Sequence, residues 1–199
     1  MSTNQLFGRL SLVIKDSART KARLLEAAAA EFAEFGIAGA RIDRIAKAAV
    51  TNKAMIYAYF GSKDELFDTV FSAHVGATLQ DVDFDVTDLP GYAGRLFDYF
   101  EDDPGALRLS TWYRLERPNG VGLQAVTEIN QVRLERLQQA QADGALTKRF
   151  APIELLALIQ AIATSWATTN PELAVGAATG RDDRRRAVVA AVERLLAEN

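Results

Sequence analysis

The sequence predicts an all-α fold, and three observations support that prediction. Apolar residues recur every three or four positions along most of the 199-residue chain, which is the period of a helix with one buried face. No stretch alternates apolar and polar residues in the way that a half-buried strand does. Pro90, Pro104 and Pro152 stand where helical patterns start, and Gly144 stands where one ends.

The patterns divide the chain into three parts. Residues 1–15 have no clear apolar period, and we expect an N-terminal arm or a frayed extra helical turn there. Residues 16–75 form a predicted helical head, and residues 76–199 form a larger helical body.

Composition excludes several classes of protein. The chain is 49% hydrophobic, which is enough for a buried core and argues against disorder. It has no cysteine, so disulfides and thiolate metal sites are excluded, and we expect neither a metal nor a cofactor. No signal-peptide pattern or membrane-length apolar run is present. We therefore expect a cytoplasmic protein without a membrane partner.

The first helix of the head is predicted over residues 17–35. One face of this helix should be buried, because apolar residues recur along it at helical spacing: Leu24, Leu25, Ala28, Phe32 and Phe35. Gly36 follows the last apolar residue and is expected to end the helix.

Two short helices are predicted next, over residues 41–49 and 52–60. Val50 and Thr51 interrupt the helical pattern between them. Asn52 can begin the second of these helices, because its side-chain oxygen can accept a backbone N–H of the first turn. At helical spacing Ile56 and Phe60 define its inner face, which leaves Tyr57 and Tyr59 toward the outside.

A fourth helix should connect the head to the body. Ser62 and Glu65 form an S-x-x-E capping box, and the helix that they start reaches to about residue 79. An acidic loop follows over residues 81–88; its spacing departs from that of a calcium loop, so we interpret it as a solvated linker. The helices predicted in the body span residues 90–101, 104–117, 121–143, 152–169 and 180–198.

The two short helices and the charge distribution together indicate DNA binding. A short helix supported by a second helix fits the major groove, with its first residues facing base edges. The overall charge of −3 conceals an asymmetry, because residues 1–63 carry a net +5 and the remainder carries −8. A basic head is expected where only the head meets phosphate.

Residues 17–71 resemble the tetracycline-repressor (TetR) family of bacterial transcriptional regulators. The matching positions are Phe32-x-x-x-Gly36, Ile45-Ala46, Lys53, Tyr57-x-x-Phe60, Lys63 and Leu66. The resemblance implies an N-terminal helix-turn-helix DNA-binding domain and a C-terminal ligand-binding and dimerisation domain. It also implies a homodimer that binds a palindromic double-stranded operator as a repressor and is released by a small-molecule effector.

The same resemblance implies the DNA contacts. Asn52 would cap the recognition helix and touch phosphate, with the next three residues at the bases or the groove wall. Tyr57 and Lys63 would hold phosphates, and Tyr59 would lie close to the backbone or a base. The DNA-binding residues implied are Arg41, Asn52, Lys53, Ala54, Met55, Tyr57, Tyr59 and Lys63.

Three positions depart from the family pattern. Val50 stands where a glycine is usual in the turn, so either the backbone is strained or the turn differs. Thr51 replaces an apolar residue. Arg41 replaces a capping threonine, although its guanidinium could still reach a phosphate.

The body offers candidates for the effector site and for self-association. Trp112, Arg114, Arg133 and Trp166 combine apolar and polar groups as ligand pockets do, and an arginine there would favour an acidic ligand. The last two helices carry more apolar surface than terminal helices need, which predicts a four-helix dimer interface. Arg184, Arg185 and Arg186 follow two aspartates and are interpreted as a solvated face.

One alternative remains from sequence alone. The protein could be a helical interaction module or adaptor whose head binds protein and not DNA. An enzyme is a distant third possibility, because no catalytic constellation is visible.

Overall fold

The computed structural model describes residues 3–117, 124–169, 172 and 179–197. Within these residues the chain forms nine α-helices and no strand, which confirms the predicted all-α class. The helices are α1 (Thr3–Gly39), α2 (Ile42–Ala48), α3 (Lys53–Phe60), α4 (Lys63–Asp81), α5 (Leu89–Asp102), α6 (Pro104–Glu116), α7 (Gln124–Ala142), α8 (Pro152–Thr164) and α9 (Arg181–Leu196). In this part of the chain no helix is both long and apolar enough to cross a bilayer.

The chain divides into two compact units. The first unit comprises Met1–His74 and Arg108–Val121, and the second comprises Val75–Leu107 and Gly122–Asn199. Two helices, α4 and α6, therefore contribute residues to both units. The first unit contains more than a head of residues 16–75, because most of α6 packs with it.

The core of the first unit is built from the predicted inner faces of α1–α4. Its fully buried side chains are Leu24, Ala28, Phe32, Ile45, Ile56, Leu66 and Phe67. The rings of Phe32 and Phe67 meet edge to face, with centroids 5.1 Å apart. This contact joins α1 to α4, while α2 packs against both α1 and α3.

The first helix begins earlier than predicted. It starts at Thr3, so residues 3–15 continue the helix where the sequence suggested an arm. This segment has no proline, and backbone hydrogen bonding does not depend on regular apolar spacing. At the other end, Gly36 has φ +65° and interrupts the helical backbone, which confirms that it ends the predicted helix.

The core of the second unit lies among α5, α7, α8 and α9. Its fully buried side chains include Leu89, Tyr92, Phe97, Leu137, Leu155, Ile159 and Val192. The acidic loop before α5 is anchored here, because Val82 and Phe84 are buried and Asp88 caps α5 by accepting from Gly91 N–H at 2.9 Å. The prediction of a merely solvated linker was therefore incomplete.

Ion pairs join α5 to α9 on the surface of the second unit. Arg184 donates to Glu101 at 2.5 Å, and Arg185 donates to Asp98 at 2.6 Å. The prediction of a solvated face was wrong for these two arginines, because their carboxylate partners lie about 85 positions earlier in the chain. Arg186 pairs within its own helix, with Asp183.

One body helix is shorter than predicted. The helix α8 ends at Thr164 and not near residue 169. The hydroxyls of Ser165 and Thr169 donate to carbonyls of the preceding turn, which loosens the regular ladder. The predicted start of α7 at residue 121 lies outside the described residues. Within the described residues, α7 begins at Gln124.

Candidate nucleic-acid interface

The two short helices form a compact unit joined by a tight turn. In the turn, Val50 N–H donates to Lys47 O at 3.2 Å and Thr51 N–H donates to Ala46 O at 2.9 Å. Asn52 then caps α3, its side-chain oxygen accepting from Met55 N–H at 3.0 Å. The predicted cap is confirmed, and it fixes the first residue of α3.

The turn contains a strained residue. Val50 has φ +52°, and in the described part of the chain no other residue except glycine has positive φ. A β-branched side chain is unfavourable there, because its Cβ approaches the following carbonyl oxygen. The side chain is 79% exposed, so packing does not compensate. The turn therefore keeps the backbone conformation that glycine usually adopts, and Val50 is strained in it.

A buried carboxylate anchors the start of α2 to α1. Glu31 is 9% exposed and accepts from the Arg41 backbone N–H at 2.8 Å. It also accepts from Arg44 Nε at 2.7 and 3.0 Å. The Arg44 guanidinium in turn lies over the Phe35 ring, 4.1 Å from its centroid. Phe35 is 43% exposed, so the prediction that it is buried with the rest of its helix face was wrong; the ring packs under a cation and not in the core.

These contacts set the charge state of Glu31. Burial raises the pKa of Glu31, but the hydrogen bonds from Arg44 and from the Arg41 backbone, together with their positive charges, hold it below the ordinary value of 4.5. The group is therefore ionised at neutral pH. It satisfies the backbone N–H of Arg41, the N-cap residue of α2, whose own side chain makes no capping hydrogen bond.

The front of α3 is exposed. Lys53, Ala54 and Tyr57 are exposed and Met55 is half-buried, whereas the inner side of the helix is buried through Ile56 and Phe60. The leading end of the helix is thus a surface that a second molecule could approach.

An ion pair occupies part of this surface. Lys53 Nζ lies 2.6 Å from Oδ1 of Asp43, in the first turn of α2, and both side chains are more than half exposed. The hydrogen bond and the charge of Asp43 raise the pKa of Lys53. Because the pair is exposed, its partners can exchange readily.

The other predicted contact residues lie around the same end of the first unit. Arg41 is exposed at the start of α2. Lys63 is half-buried, and its Nζ donates to Ala40 O at 3.3 Å. Tyr59 is half-buried with its hydroxyl 2.9 Å from Ser17 Oγ, so it faces α1 and not the outside as helical spacing suggested.

Residues of α6 hold the C-terminal end of α1. Arg108 donates to the carbonyls of Ala33 at 2.8 Å and Glu34 at 3.0 Å, in the last turn before the kink at Gly36. Glu116 accepts from Ile37 N–H at 2.8 Å. Sequence reasoning missed both residues, since nothing local indicates a partner some 75 positions away.

The four predicted effector-site residues do not form one cluster within either unit. Trp112 and Arg114 belong to the first unit, and Arg133 and Trp166 belong to the second. Trp112 lies so close to Gly36 that a Cβ there would be 2.8 Å from its Cε3 atom. Arg114 is exposed, Arg133 is buried, and Trp166 packs at the edge of the second core.

Two family models match the chain along most of its length. The model for bacterial regulatory proteins of the tetR family matches residues 24–70, which contain α2 and α3. The model for the tetracyclin repressor-like C-terminal domain matches residues 88–194. The chain belongs to the TetR family. The resemblance read from the sequence is confirmed, and α2–α3 is the helix-turn-helix of this TetR-family regulator.

Individual relatives agree with this assignment. The HTH-type transcriptional repressor SCO4008 of Streptomyces coelicolor is 37% identical over 93% of this chain and 99% of its own length. The HTH-type transcriptional repressor NicS of Pseudomonas putida is 43% identical over 60 residues, which is 30% of this chain and 28% of NicS. The crystal structure of SCO4942 from Streptomyces coelicolor has a TM-score of 0.80 and 42% identity, covering 90% of this chain and 99% of that one.

Membership settles the broad class of function. TetR-family proteins are DNA-binding transcriptional regulators and not enzymes, so the expectation that this chain is not an enzyme is confirmed. The expectation of DNA binding through a helix-turn-helix is confirmed at the level of the domain.

Replacing Val50 with glycine should stabilise this TetR-family regulator. The left-handed conformation costs an L-residue about 1–2 kcal/mol, and glycine removes this cost. Glycine also has more conformational freedom in the unfolded state, which cancels about half of the benefit. We expect Val50→Gly to raise the free energy of unfolding in urea by about 1 kcal/mol. Val50→Ala keeps a Cβ and should gain less. A loss of stability in Val50→Gly would contradict the assigned strain.

Removing the Glu31 charge should change the acid stability of the protein. Because the folded-state pKa lies below the unfolded value, the contribution of Glu31 is present above about pH 4.5 and is lost as pH falls through the folded pKa. We expect Glu31→Gln to lower the unfolding free energy by about 2 kcal/mol at pH 7 and to flatten its decline in acid. Denaturation from pH 7 to 3 measures this.

The matched control for that experiment is Glu34→Gln. Glu34 is on the same helix, but its side chain is 61% exposed and its contact with Arg108 spans 3.7 Å. Removing the Glu34 charge should have little effect on the free energy of unfolding at any pH. Equal acid profiles for the two variants would show that Glu31 does not anchor α2.

Proposed function

We propose that the protein is a dimeric, ligand-responsive transcriptional repressor that acts in the cytoplasm. It binds a palindromic operator through α3 (Lys53–Phe60) and is released by a small-molecule effector bound in the second unit. The observation that carries the proposal is the exposed leading end of α3, capped by Asn52 and supported by α2. Such an end fits the major groove with its first residues at the base edges.

The proposed base contacts come from the front of α3. Lys53, Ala54 and Met55 would face base edges or the groove wall, which agrees with the exposure of Lys53 and Ala54 and the partial exposure of Met55. Lys53 would leave Asp43 on binding. Asn52 is exposed and would touch phosphate while it caps the helix.

The proposed phosphate contacts surround that front. Tyr57 is 48% exposed, and Arg41 is exposed at the start of α2, so both can reach a phosphate without rearrangement. Lys63 would exchange its bond to a carbonyl for one to phosphate. Tyr59 would make a contact close to the DNA backbone or a base through its hydroxyl, which is hydrogen-bonded to Ser17 in the free protein.

Repression and dimerisation have separate support. The relative SCO4008, matched along nearly its whole length, is named a repressor. Dimerisation is favoured by exposed apolar side chains on α8, where Ile153 is 58% and Leu158 37% exposed. A second copy presenting α8 and α9 would cover them as a four-helix interface with two-fold symmetry.

The proposed release mechanism uses the helices shared by both units. An effector that binds one conformation of the second unit more tightly shifts the population toward it. Movement of α4 would reorient the helix-turn-helix and change the spacing of the two heads. Movement of α6 would act on α1 through Arg108 and Glu116, which hold its end.

Substitutions of the Lys53–Asp43 pair test the interface. Lys53→Ala should weaken operator binding about tenfold, as expected for the loss of one charged contact, and should reduce the salt slope by about one. Asp43→Asn should strengthen operator binding, because it frees Lys53 and removes a negative charge near phosphate. Binding isotherms on DNA from 50 to 300 mM salt measure both effects.

Two control variants accompany this test. Lys148→Ala removes an exposed lysine from the second unit and should leave DNA binding unchanged. Tyr57→Phe removes only a hydroxyl and should weaken binding without changing the salt slope. If Lys53→Ala binds like the parent protein, α3 is not the reading helix; if no duplex binds with salt dependence, the adaptor alternative gains support.

Selection from a random duplex library tests the operator and the dimer. We expect an inverted repeat whose half-sites lie about one helical turn apart, bound by two or four chains. Sedimentation of the free protein should give the mass of a dimer. Adding an effector should lower operator affinity about 10- to 100-fold, which is the usual range of allosteric coupling. A monomer that enriches a non-repeated site would contradict the proposal.

A further inference from the structure

One arginine of the second unit is buried with no carboxylate within 4 Å among the described residues. Arg133 lies on α7 and is 8% exposed. Its guanidinium carbon is 5.2 Å from the ring centroid of Phe84 and 5.5 Å from that of Tyr92. Both rings belong to the buried apolar cluster of the second unit.

Arg133 differs from four other arginines of the protein in having no carboxylate beside it among the described residues. Arg44, Arg117, Arg184 and Arg185 each lie within 4 Å of a carboxylate. Among the described residues no carboxylate lies within that distance of Arg133, although it is the most buried of the five. Of these five arginines, the one whose charge burial makes most costly is thus the one with no carboxylate within 4 Å among the described residues.

The electrostatics of the site favour an anion. Arginine stays protonated in proteins, so a buried guanidinium retains its full charge. Burial lowers the pKa of Arg133, and the nearby Arg136 lowers it further. Aromatic faces attract a cation, but they offset only part of the desolvation cost. A carboxylate would supply both the opposite charge and two acceptors in the planar geometry of the guanidinium.

We propose that Arg133 is the anion-recognition residue of a ligand site in the second unit, and that its ligand is an organic carboxylate with an apolar body. The carboxylate pairs with the guanidinium, and the apolar body packs beside Phe84 and Tyr92. This inference rests on the proposed function in one respect only: the ligand is taken to be the effector that releases the operator. The binding site itself is argued from burial, aromatic contacts and charge.

The test compares each acid with its neutral amide. Octanoate, decanoate, benzoate and phenylacetate, and the corresponding primary amides, are titrated into the full-length protein by calorimetry at pH 7. We expect at least one acid to bind about 10- to 100-fold more tightly than its amide, as for a hydrogen-bonded charge pair. Arg133→Met should abolish that preference, and Arg133→Lys should retain part of it.

Matched controls keep the result interpretable. Arg136→Met removes an exposed arginine of the same helix and should change the preference less than threefold. Inorganic phosphate and acetate, which lack the apolar body, should bind more weakly than the selected acid. Arg133→Lys serves as the informative variant if Arg133→Met does not fold. The proposal is overturned if no acid binds more tightly than its amide, or if the preference survives in both Arg133 variants.

A separate measurement distinguishes this inference from the proposed function. Operator affinity is measured with and without the acid that binds. Binding that leaves operator affinity unchanged supports the anion site and contradicts its role as effector site. Release of the operator by neutral compounds alone, with no acid bound, supports the proposed function and overturns the role of Arg133.

Discussion

The orientation of the helix-turn-helix depends on one buried carboxylate, that of Glu31. It joins α1 to the first backbone N–H of α2 and to the Arg44 side chain, at distances of 2.7 to 3.0 Å. Since α3 is placed by its short turn from α2, the direction in which α3 presents Lys53 follows from this anchor. A charge in this position is favourable only because hydrogen bonds from Arg41 N–H and Arg44 Nε satisfy it. Such bonds make the anchor directional in a way that apolar packing is not.

The anchor also explains how the unit tolerates unfavourable local choices. Arg41 stands at an N-cap position without supplying a side-chain acceptor, and Val50 occupies a left-handed backbone conformation. Each choice weakens the isolated helix pair by an amount on the order of 1 kcal/mol. Tertiary contacts oppose both, because Glu31 satisfies the N–H of Arg41, and Ile45 and Ile56 hold the flanking helices in the core.

Sequence reasoning succeeded where the decisive contact is local. Asn52 and its acceptor partner are three residues apart, and the end of the helix at Gly36 depends on that residue's own backbone. It failed where a partner is remote: Tyr59 was placed outside because helical spacing does not include Ser17, 42 positions away. The same limit applied to Trp112, whose contact with Gly36 arises only when α6 reaches the end of α1. The DNA contacts themselves stay predictions.

The shared helix α6 gives the proposed switch a physical basis. A ligand moves an equilibrium only if it binds the two states unequally, and an element shared by both units can carry that difference to the helix-turn-helix. Most of α6, from Arg108 onward, belongs to the first unit, whereas its first residues belong to the second. The end of α1 is held by Arg108 and Glu116 through hydrogen bonds that are lost within about 1 Å of movement. A small displacement of α6 would therefore release the kink at Gly36 in a discrete step, because a hydrogen bond of this kind is either made or broken.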